Sequence, residues 1–181
     1  MVHFGNEADM RTLETERLLL RAWREDDLSD MYEFLSNPNV TIPDGSSPCE
    51  TLEECKRVLN YLIEKKQNYA IELKESGKVI GNVSLNRDVK GNPCVRNLGF
   101  CLAEAYWSRG FMTEALTEVI AAAKEVTGVL SATQNRNAKS EHLLKKIRLQ
   151  AGGRDQKRKK KGRCGISRRA VLHPDFERQR Q

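Results

Sequence analysis

No stretch of the 181-residue sequence approaches the run of about 18 apolar residues that a membrane helix needs, so no membrane span is predicted. The first ten residues, MVHFGNEADM, carry acids and lack a basic segment followed by an apolar run, which argues against a secretory signal. The five cysteines form no CxxC pair and the three histidines show no metal-ligand spacing, so neither zinc nor any other metal is predicted. These absences favour a cytoplasmic protein with reduced, non-catalytic thiols.

The charge of the chain is distributed unevenly. The formal net charge is +6. Residues 148–181 hold 12 basic and 3 acidic residues, a local +9, whereas the 19 basic and 22 acidic residues before them leave −3. The basic character therefore belongs to the tail and does not by itself indicate a nucleic-acid-binding protein. We predict one domain over residues 1–147, followed by a basic, poorly ordered tail over residues 148–181.

Apolar spacing predicts the order strand, two helices, three antiparallel strands, helix, strand, helix, which is typical of a mixed α/β (α+β) fold with one sheet. The predicted strands cover residues 17–23, 69–73, 79–85, 95–102 and 129–132, and the predicted helices cover 28–35, 51–62, 112–126 and 138–147. Thr51 and Glu54 form a capping box at the start of the second helix. Asn37 and Pro38 end the first helix, and a loop is expected from there to Pro48.

The segment 99–115 carries the chemistry. A strand is followed by Arg109, Gly110 and then a helix, and a loop that enters a helix N-terminus gathers backbone N–H donors and the positive end of the helix dipole, as a pyrophosphate requires. Arg109 adds a charge that can pair with a phosphate oxygen. The same residues also fit a plain loop-to-helix turn with a solvated arginine, and the local motif does not separate the two interpretations.

A wider set of segments resembles the GNAT acetyltransferases, in particular the Rim-type branch that acetylates the N-termini of ribosomal proteins. Residues 106–115 (YWSRGFMTEA) are similar to the cofactor-binding segment of that family. Residues 13–21 (LETERLLLR) are similar to its first strand, Asp26 and Asp27 to its first helix start, and residues 137–146 (NAKSEHLLKK) to its penultimate helix. The resemblance covers about residues 13–147.

The resemblance implies a mostly antiparallel central sheet flanked by helices, with acetyl-coenzyme A as the co-substrate and no metal. Family members splay two central strands, and the pantetheine arm of the cofactor bonds to the exposed backbone between them. The diphosphate lies on the amides of the following loop and helix start, and a family asparagine lies beside the arm. The implied cofactor-binding residues here are Phe100, Cys101, Leu102, Ser108, Arg109, Gly110, Phe111, Met112, Thr113 and Asn137.

Two residues are candidates for proton transfer, since a neutral amine must attack the thioester and a thiolate must leave. Ser140 matches a family position close to the thioester sulfur, where its hydroxyl can protonate the thiolate. A serine on a helix surface near an N-cap fits the same position from spacing alone. Glu72, on a strand facing the expected cleft, is the candidate general base, directly or through water; the alternative is an exposed member of an alternating strand.

Two departures from the family pattern bear on activity. Met112 stands where the family has Gly or Ala, at a turn that the cofactor approaches closely. After Ile147 the family continues with two more strands, whereas residues 154–169 contain one isoleucine as their only large aliphatic residue. Such a segment buries too little apolar surface to offset its ordering, so the last two strands are expected to be missing. One hypothesis is a reading-frame slip after Ile147, which sequencing the source gene would test.

The acceptor is left open by these motifs, because they concern the cofactor. A primary amine is implied, with a protein N-terminus favoured by the Rim-type resemblance and a small amine, such as an antibiotic or polyamine, as the alternative. A third hypothesis is a weakly active or inactive domain whose tail, with Lys157–Lys161 (KRKKK), binds RNA or the ribosome. The sheet edge left by missing strands would favour a homodimer.

Overall fold

A single mixed sheet organises the molecule. The computed structural model describes residues 10–87, 95–124, 129–133, 142–144, 147 and 171–173. Within these residues the sheet order follows the chain order, β1-β2-β3-β4-β5-β6-β7. The strands are β1 (Leu13–Glu14), β2 (Leu18–Arg21), β3 (Asn68–Leu73), β4 (Val79–Arg87), β5 (Val95–Leu102), β6 (Val129–Thr133) and β7 (Val171–His173). β1 to β5 pair antiparallel, whereas β6 pairs parallel with both β5 and β7. The predicted mixed, mostly antiparallel sheet is confirmed.

Three helices lie between β2 and β3 in the chain, and a fourth lies between β5 and β6. They are α1 (Leu28–Leu35), α2 (Pro38–Thr41), α3 (Leu52–Lys65) and α4 (Phe111–Lys124). Thr51 caps α3 as predicted, its hydroxyl accepting from the Glu54 N–H at 3.2 Å. In a capping box the Glu54 carboxylate would accept from the N–H of the cap residue, Thr51. Here it accepts instead from the N–H of the preceding residue, Glu50, at 2.9 Å.

The prediction of a loop from Asn37 to Pro48 is wrong in part, because α2 begins at Pro38. Asn37 accepts from the Asn39 N–H through its side chain at 2.9 Å, which caps a new helix. Pro38 occupies the first helical position, where the missing N–H costs nothing. Asn37 and Pro38, which were predicted to end α1, therefore also start α2.

Strand alternation divides the buried side chains between the two faces of the sheet. Ile71 and Ile80 pack on the face that α4 covers, while the neighbouring Ala70 and Val79 pack with α1 and α3 on the other. α4 contributes Ala115, Leu116, Val119, Ile120 and Ala123 to the first cluster. Helices thus flank both faces, which leaves the ends of the central strands as the place for a site.

The chain after β6 is described only in short pieces. His142–Leu144 are helical and the Ile147 N–H donates to the Leu143 carbonyl at 3.1 Å, within the helix predicted for residues 138–147. In the tail, Val171–His173 pairs with β6, so one short strand follows the domain where strands were expected to be missing. The segment 154–169, with the Lys157–Lys161 run, lies outside the described residues. Among the helices that are described, none has the length and hydropathy to cross a membrane.

Candidate active site

Among the described residues, the registered pairs between β5 and β6 cover the first half of β5. Their register begins at Val95 with Val129 and ends at Leu98 with Ala132, yet β5 continues to Leu102. Phe100 to Leu102, the residues selected from the sequence for the pantetheine arm, therefore lie beyond the last registered pair. On the other side, β5 stays registered with β4 up to the pair Leu102 and Gly81.

The register with β4 shows which backbone groups of β5 face the β6 side. The Ala103 N–H donates to the Ile80 carbonyl at 2.8 Å. Because antiparallel partners alternate between bonded and non-bonded pairs, Cys101 directs its backbone groups toward β4 and Phe100 and Leu102 direct theirs toward β6. The Leu102 carbonyl accordingly accepts a hydrogen bond from outside the ladder, from Trp107 Nε1 at 2.7 Å. The N–H and C=O of Phe100 and the N–H of Leu102 therefore face the β6 side of β5, beyond the last pair registered among the described residues; we call this stretch the strand gap.

The loop between β5 and α4 has two residues in the left-handed region. Ser108 has a φ of 60° and Gly110 a φ of 83°. Glycine adopts this conformation freely, but a serine does so at a cost, and such costs are concentrated at ligand-binding loops. The path brings the chain into α4 so that the Glu114 N–H makes the first helical bond, to the Gly110 carbonyl at 3.0 Å.

The start of α4 presents free donors. Phe111, Met112 and Thr113 precede the first residue whose N–H is bonded within the helix, so their N–H groups have no intrahelical acceptor. Together with the positive end of the helix dipole they form a seat for an anion. We call the amides of residues 111–113 the anion seat.

Two side chains at the anion seat pack into the core. Met112 stands where the family has a small residue, and its side chain is buried in the core cluster under α4. The side chain therefore points away from the turn. Phe111 is also buried and carries two guanidinium groups on its ring, Arg17 at 4.3 Å and Arg109 at 5.1 Å from the centroid. Arg109 is exposed and also lies 5.5 Å from the Tyr106 ring. The seat is thus bordered by positive charge.

Glu72, the candidate base, belongs to an ion cluster on the α1 and α3 face of the sheet. Arg21 binds Asp27 through two hydrogen bonds of 2.7 and 2.8 Å and also pairs with Glu72. Both Arg21 and Asp27 are buried, whereas Glu72 is half-buried. The bond to Asp27 raises the pKa of Arg21 above its ordinary value against the effect of burial. The Glu72 carboxylate therefore has a fixed cationic partner and a fixed direction.

The other predicted residues divide into two groups. Ser108, Arg109, Gly110, Phe111, Met112 and Thr113 come together around the start of α4, and Phe100, Cys101 and Leu102 form the end of β5. Asn137 and Ser140 lie outside the described residues. A group of three or more His, Cys, Asp or Glu side chains able to hold a metal ion is absent from the described part of the chain.

Three residues at the site were not selected from the sequence. Trp107 ties the loop to the end of β5, as described above. Arg17 contacts the start of α4 across 97 positions of sequence. The carboxylate of Glu104, two residues past β5, accepts from the side-chain amides of Asn37 at 2.8 Å and Asn39 at 3.0 Å. Arg17 and Trp107 lie within the segments that resemble the family, but the spacing of residues in a segment does not indicate which distant residues they contact.

Comparison with known proteins identifies a family. The family model described as acetyltransferase (GNAT) domain matches residues 17–150. The uncharacterized N-acetyltransferase p20 of Bacillus licheniformis is 28% identical over 116 residues, which are 61% of this chain and 65% of that protein. The chain thus spans slightly less than two thirds of the length of this relative.

Solved structures share the fold. A GNAT-family acetyltransferase from Bacillus anthracis superimposes with a TM-score of 0.70 at 20% identity, covering 79% of this chain and 86% of that one. The ribosomal-protein-S5-alanine acetyltransferase of Vibrio fischeri superimposes with a TM-score of 0.58 at 20% identity, covering 76% and 81%. Since the family model spans most of the domain and the strand gap and anion seat lie within its bounds, the chain belongs to the GNAT acetyltransferase family.

Proposed function

We propose that this protein transfers the acetyl group of acetyl-coenzyme A to a primary amine, and that the acceptor is the N-terminal amine of a protein. The observation that carries the proposal is the combination of two features at one end of the sheet. β5 extends past its last registered pair with β6, and the anion seat of α4 begins at Phe111, shortly after β5 ends at Leu102. The gap suits an extended pantetheine arm and the seat suits a diphosphate, in the order in which they occur in the cofactor.

The binding of the cofactor is explained by backbone groups more than by side chains. The pantetheine amides can pair with Phe100 and Leu102 as an added strand would, because the N–H and C=O of Phe100 and the N–H of Leu102 face the strand gap. The diphosphate oxygens can accept from the amides of residues 111–113, with Arg109 as an additional cation. Gly110 allows this approach, since its φ of 83° is strained for any residue with a Cβ.

The reaction requires two proton transfers. The amine nitrogen bonds to the acetyl carbon, the carbon–sulfur bond breaks, the amine loses a proton and the thiolate gains one. We propose Glu72 as the group that accepts the amine proton, through water, and Ser140 as the donor to the thiolate. Glu72 then has two roles, because the same carboxylate balances Arg21 in the fold.

The choice of a protein N-terminus as acceptor is supported by the Rim-type segments, residues 13–21 and 106–115. A small amine is the alternative outcome. An assay with labelled acetyl-coenzyme A would separate the two, using peptides with free α-amines, the same peptides with blocked N-termini, spermidine and an aminoglycoside. We expect incorporation into the free peptides, and preferential labelling of spermidine or the aminoglycoside would contradict the proposed acceptor.

Calorimetry with acetyl-coenzyme A tests the cofactor site. Gly110→Asp adds a carboxylate beside the anion seat, and we expect it to weaken binding by at least about tenfold, since like charges repel strongly at this range. Gly77→Asp is the matched control, because Gly77 has a φ of 70° in the turn between β3 and β4 and a Cβ placed on it would meet no atom within 4 Å. Binding by the parent and by Gly77→Asp, with loss in Gly110→Asp, would support the site. An absence of binding by the parent, or equal binding by the two variants, would contradict it.

A further inference from the structure

Glu114 places a negative charge in the first turn of α4, one residue past the amides of the anion seat. A carboxylate at a helix N-terminus is favourable for the helix itself. It is unfavourable for a second anion bound at the same helix end, because the two negative charges repel each other. A diphosphate seat on this helix therefore needs something that cancels the charge of Glu114.

The turn between β1 and β2 supplies that partner. Arg17 donates from Nε to Glu114 Oε2 at 2.7 Å, and its Nη2 lies 2.7 Å from the same oxygen. The other oxygen, Oε1, accepts from the Arg17 N–H at 2.9 Å and from the Thr15 hydroxyl at 2.6 Å. Burial acts to raise the pKa of Glu114, but the hydrogen bonds from Thr15 and Arg17 outweigh it and hold this pKa below its ordinary value. The carboxylate is ionised, fully bonded and directed at the β1–β2 turn.

Arg17 also contacts the loop that leads into the helix. Its Nη1 donates to the Arg109 carbonyl at 3.2 Å, and its guanidinium lies over the Phe111 ring. A Cβ placed on Gly110 would lie 3.5 Å from Arg17 Nη2. The Arg17 side chain thus neutralises Glu114 and donates to the Arg109 carbonyl, which immediately precedes Gly110.

We propose that Arg17 is a positioning residue for the diphosphate of the co-substrate: it cancels the charge of Glu114 at the anion seat and holds the Arg109 carbonyl, without itself binding phosphate. The inference rests on the proposed function, since it concerns the affinity of the same seat. Its guanidinium is committed to Glu114 and to the loop, so its effect on an anion is exerted through those two groups.

A double-mutant cycle tests the inference by calorimetric titration with coenzyme A. Arg17→Gln exposes the charge of Glu114, and we expect affinity to fall about tenfold at low salt, with the deficit shrinking as salt is added. Glu114→Gln removes the charge and is expected to bind at least as tightly as the parent. The double variant should recover to within about threefold of the parent. Arg57→Gln, which removes an exposed arginine paired with Glu54 on α3, is the charge-matched control.

The outcomes separate three roles. If Arg17 bound phosphate directly, or if it were needed only to shape the loop, the double variant would bind as weakly as Arg17→Gln, and either result would overturn the inference. Unchanged affinity in Arg17→Gln would overturn it as well. Arg17→Lys keeps the charge and provides a test should Arg17→Gln fail to fold: affinity close to the parent is expected, and a loss as large as tenfold contradicts charge cancellation. If the folded parent binds no coenzyme A, the proposed function fails together with the inference, whereas failure of the rescue alone leaves the function standing.

Discussion

The indole N–H of Trp107 donates to the carbonyl oxygen of Leu102 at 2.7 Å, which joins the end of β5 to the loop before α4. The two halves of the proposed cofactor site, the strand gap and the anion seat, are held together by this bond. Without it, the Leu102 carbonyl would lose this donor and the loop would lose a fixed point.

Trp107→Phe is expected to keep the fold and to weaken coenzyme A binding by about fivefold, the equivalent of one hydrogen bond of about 1 kcal/mol. Trp23→Phe is the matched control, because Trp23 is buried in the other core cluster and its indole N–H has no partner among the described residues. Calorimetry on both variants checks the prediction. Equal losses would show that packing, and not the bond to Leu102, sets the affinity.

Glu72→Gln is expected to lower the turnover number at unchanged affinity for coenzyme A, because it removes the proposed base and leaves the anion seat intact. Asp27→Asn removes the other carboxylate that pairs with Arg21 and serves as the control. Steady-state kinetics should show a much larger loss of turnover in Glu72→Gln than in Asp27→Asn. Similar losses would assign the effect to the ion cluster and remove Glu72 as the base.

Asp27→Asn has its own effect on stability. Arg21 is buried and bonds both oxygens of Asp27, so the substitution leaves a buried cation with Glu72 as its remaining carboxylate partner. We expect the free energy of unfolding to fall by about 3 kcal/mol, as is typical when one member of a buried ion pair is removed. Urea denaturation measures the difference, and a change below about 1 kcal/mol, the range of surface pairs, would contradict the assigned burial.

The contribution of Glu114 to stability should depend on pH. Its pKa in the folded protein lies below the ordinary value of 4.5, so the unfolded state binds the proton more readily than the folded state does. The stabilisation is therefore fully present above pH 4.5 and is lost as the pH falls through the lower, folded-state pKa. The difference in unfolding free energy between the parent and Glu114→Gln should be larger at neutral pH than at about pH 3, and a constant difference would contradict the ionised, bonded carboxylate.

Cys55 should resist alkylation in the native protein. Its side chain is buried, and burial raises the pKa of the thiol to about 12, so almost no thiolate is present at neutral pH. Iodoacetamide at mildly alkaline pH followed by peptide mapping should label Cys55 only after denaturation. Rapid labelling of the folded protein at this position would show that α3 opens or that the core assignment is wrong.

Local patterns predicted most of the elements because the information lies within a few residues. The alternation in 95–102 and the cap at Thr51 are examples, and both are confirmed. The pattern after Asn37 misled in part, since a proline can end one helix or occupy the first position of the next. The direction of a single side chain is not predicted by its type. A methionine at position 112 suggests that the cofactor is obstructed at the turn, whereas the side chain of Met112 is buried in the core.

Contacts between distant segments could not be predicted from spacing. Arg17 and Glu114 are 97 positions apart, and Arg21 and Glu72 are 51 apart. Charged residues of this kind are usually solvated, so their pairing follows only once the strand order brings β2 next to β3 and under α4. The sequence predicts that Glu72 faces a cleft, but it does not predict that Glu72 also pairs with the buried Arg21.

Amide-resolved NMR during titration with acetyl-coenzyme A is the most direct test of the account. We expect the largest chemical-shift changes at the amides of Phe100, Leu102 and residues 111–113, and a smaller change at the Cys101 amide, which is bonded toward β4. Binding that leaves the start of α4 unperturbed, with shifts elsewhere in the molecule, would contradict the claim that the diphosphate lies on that helix.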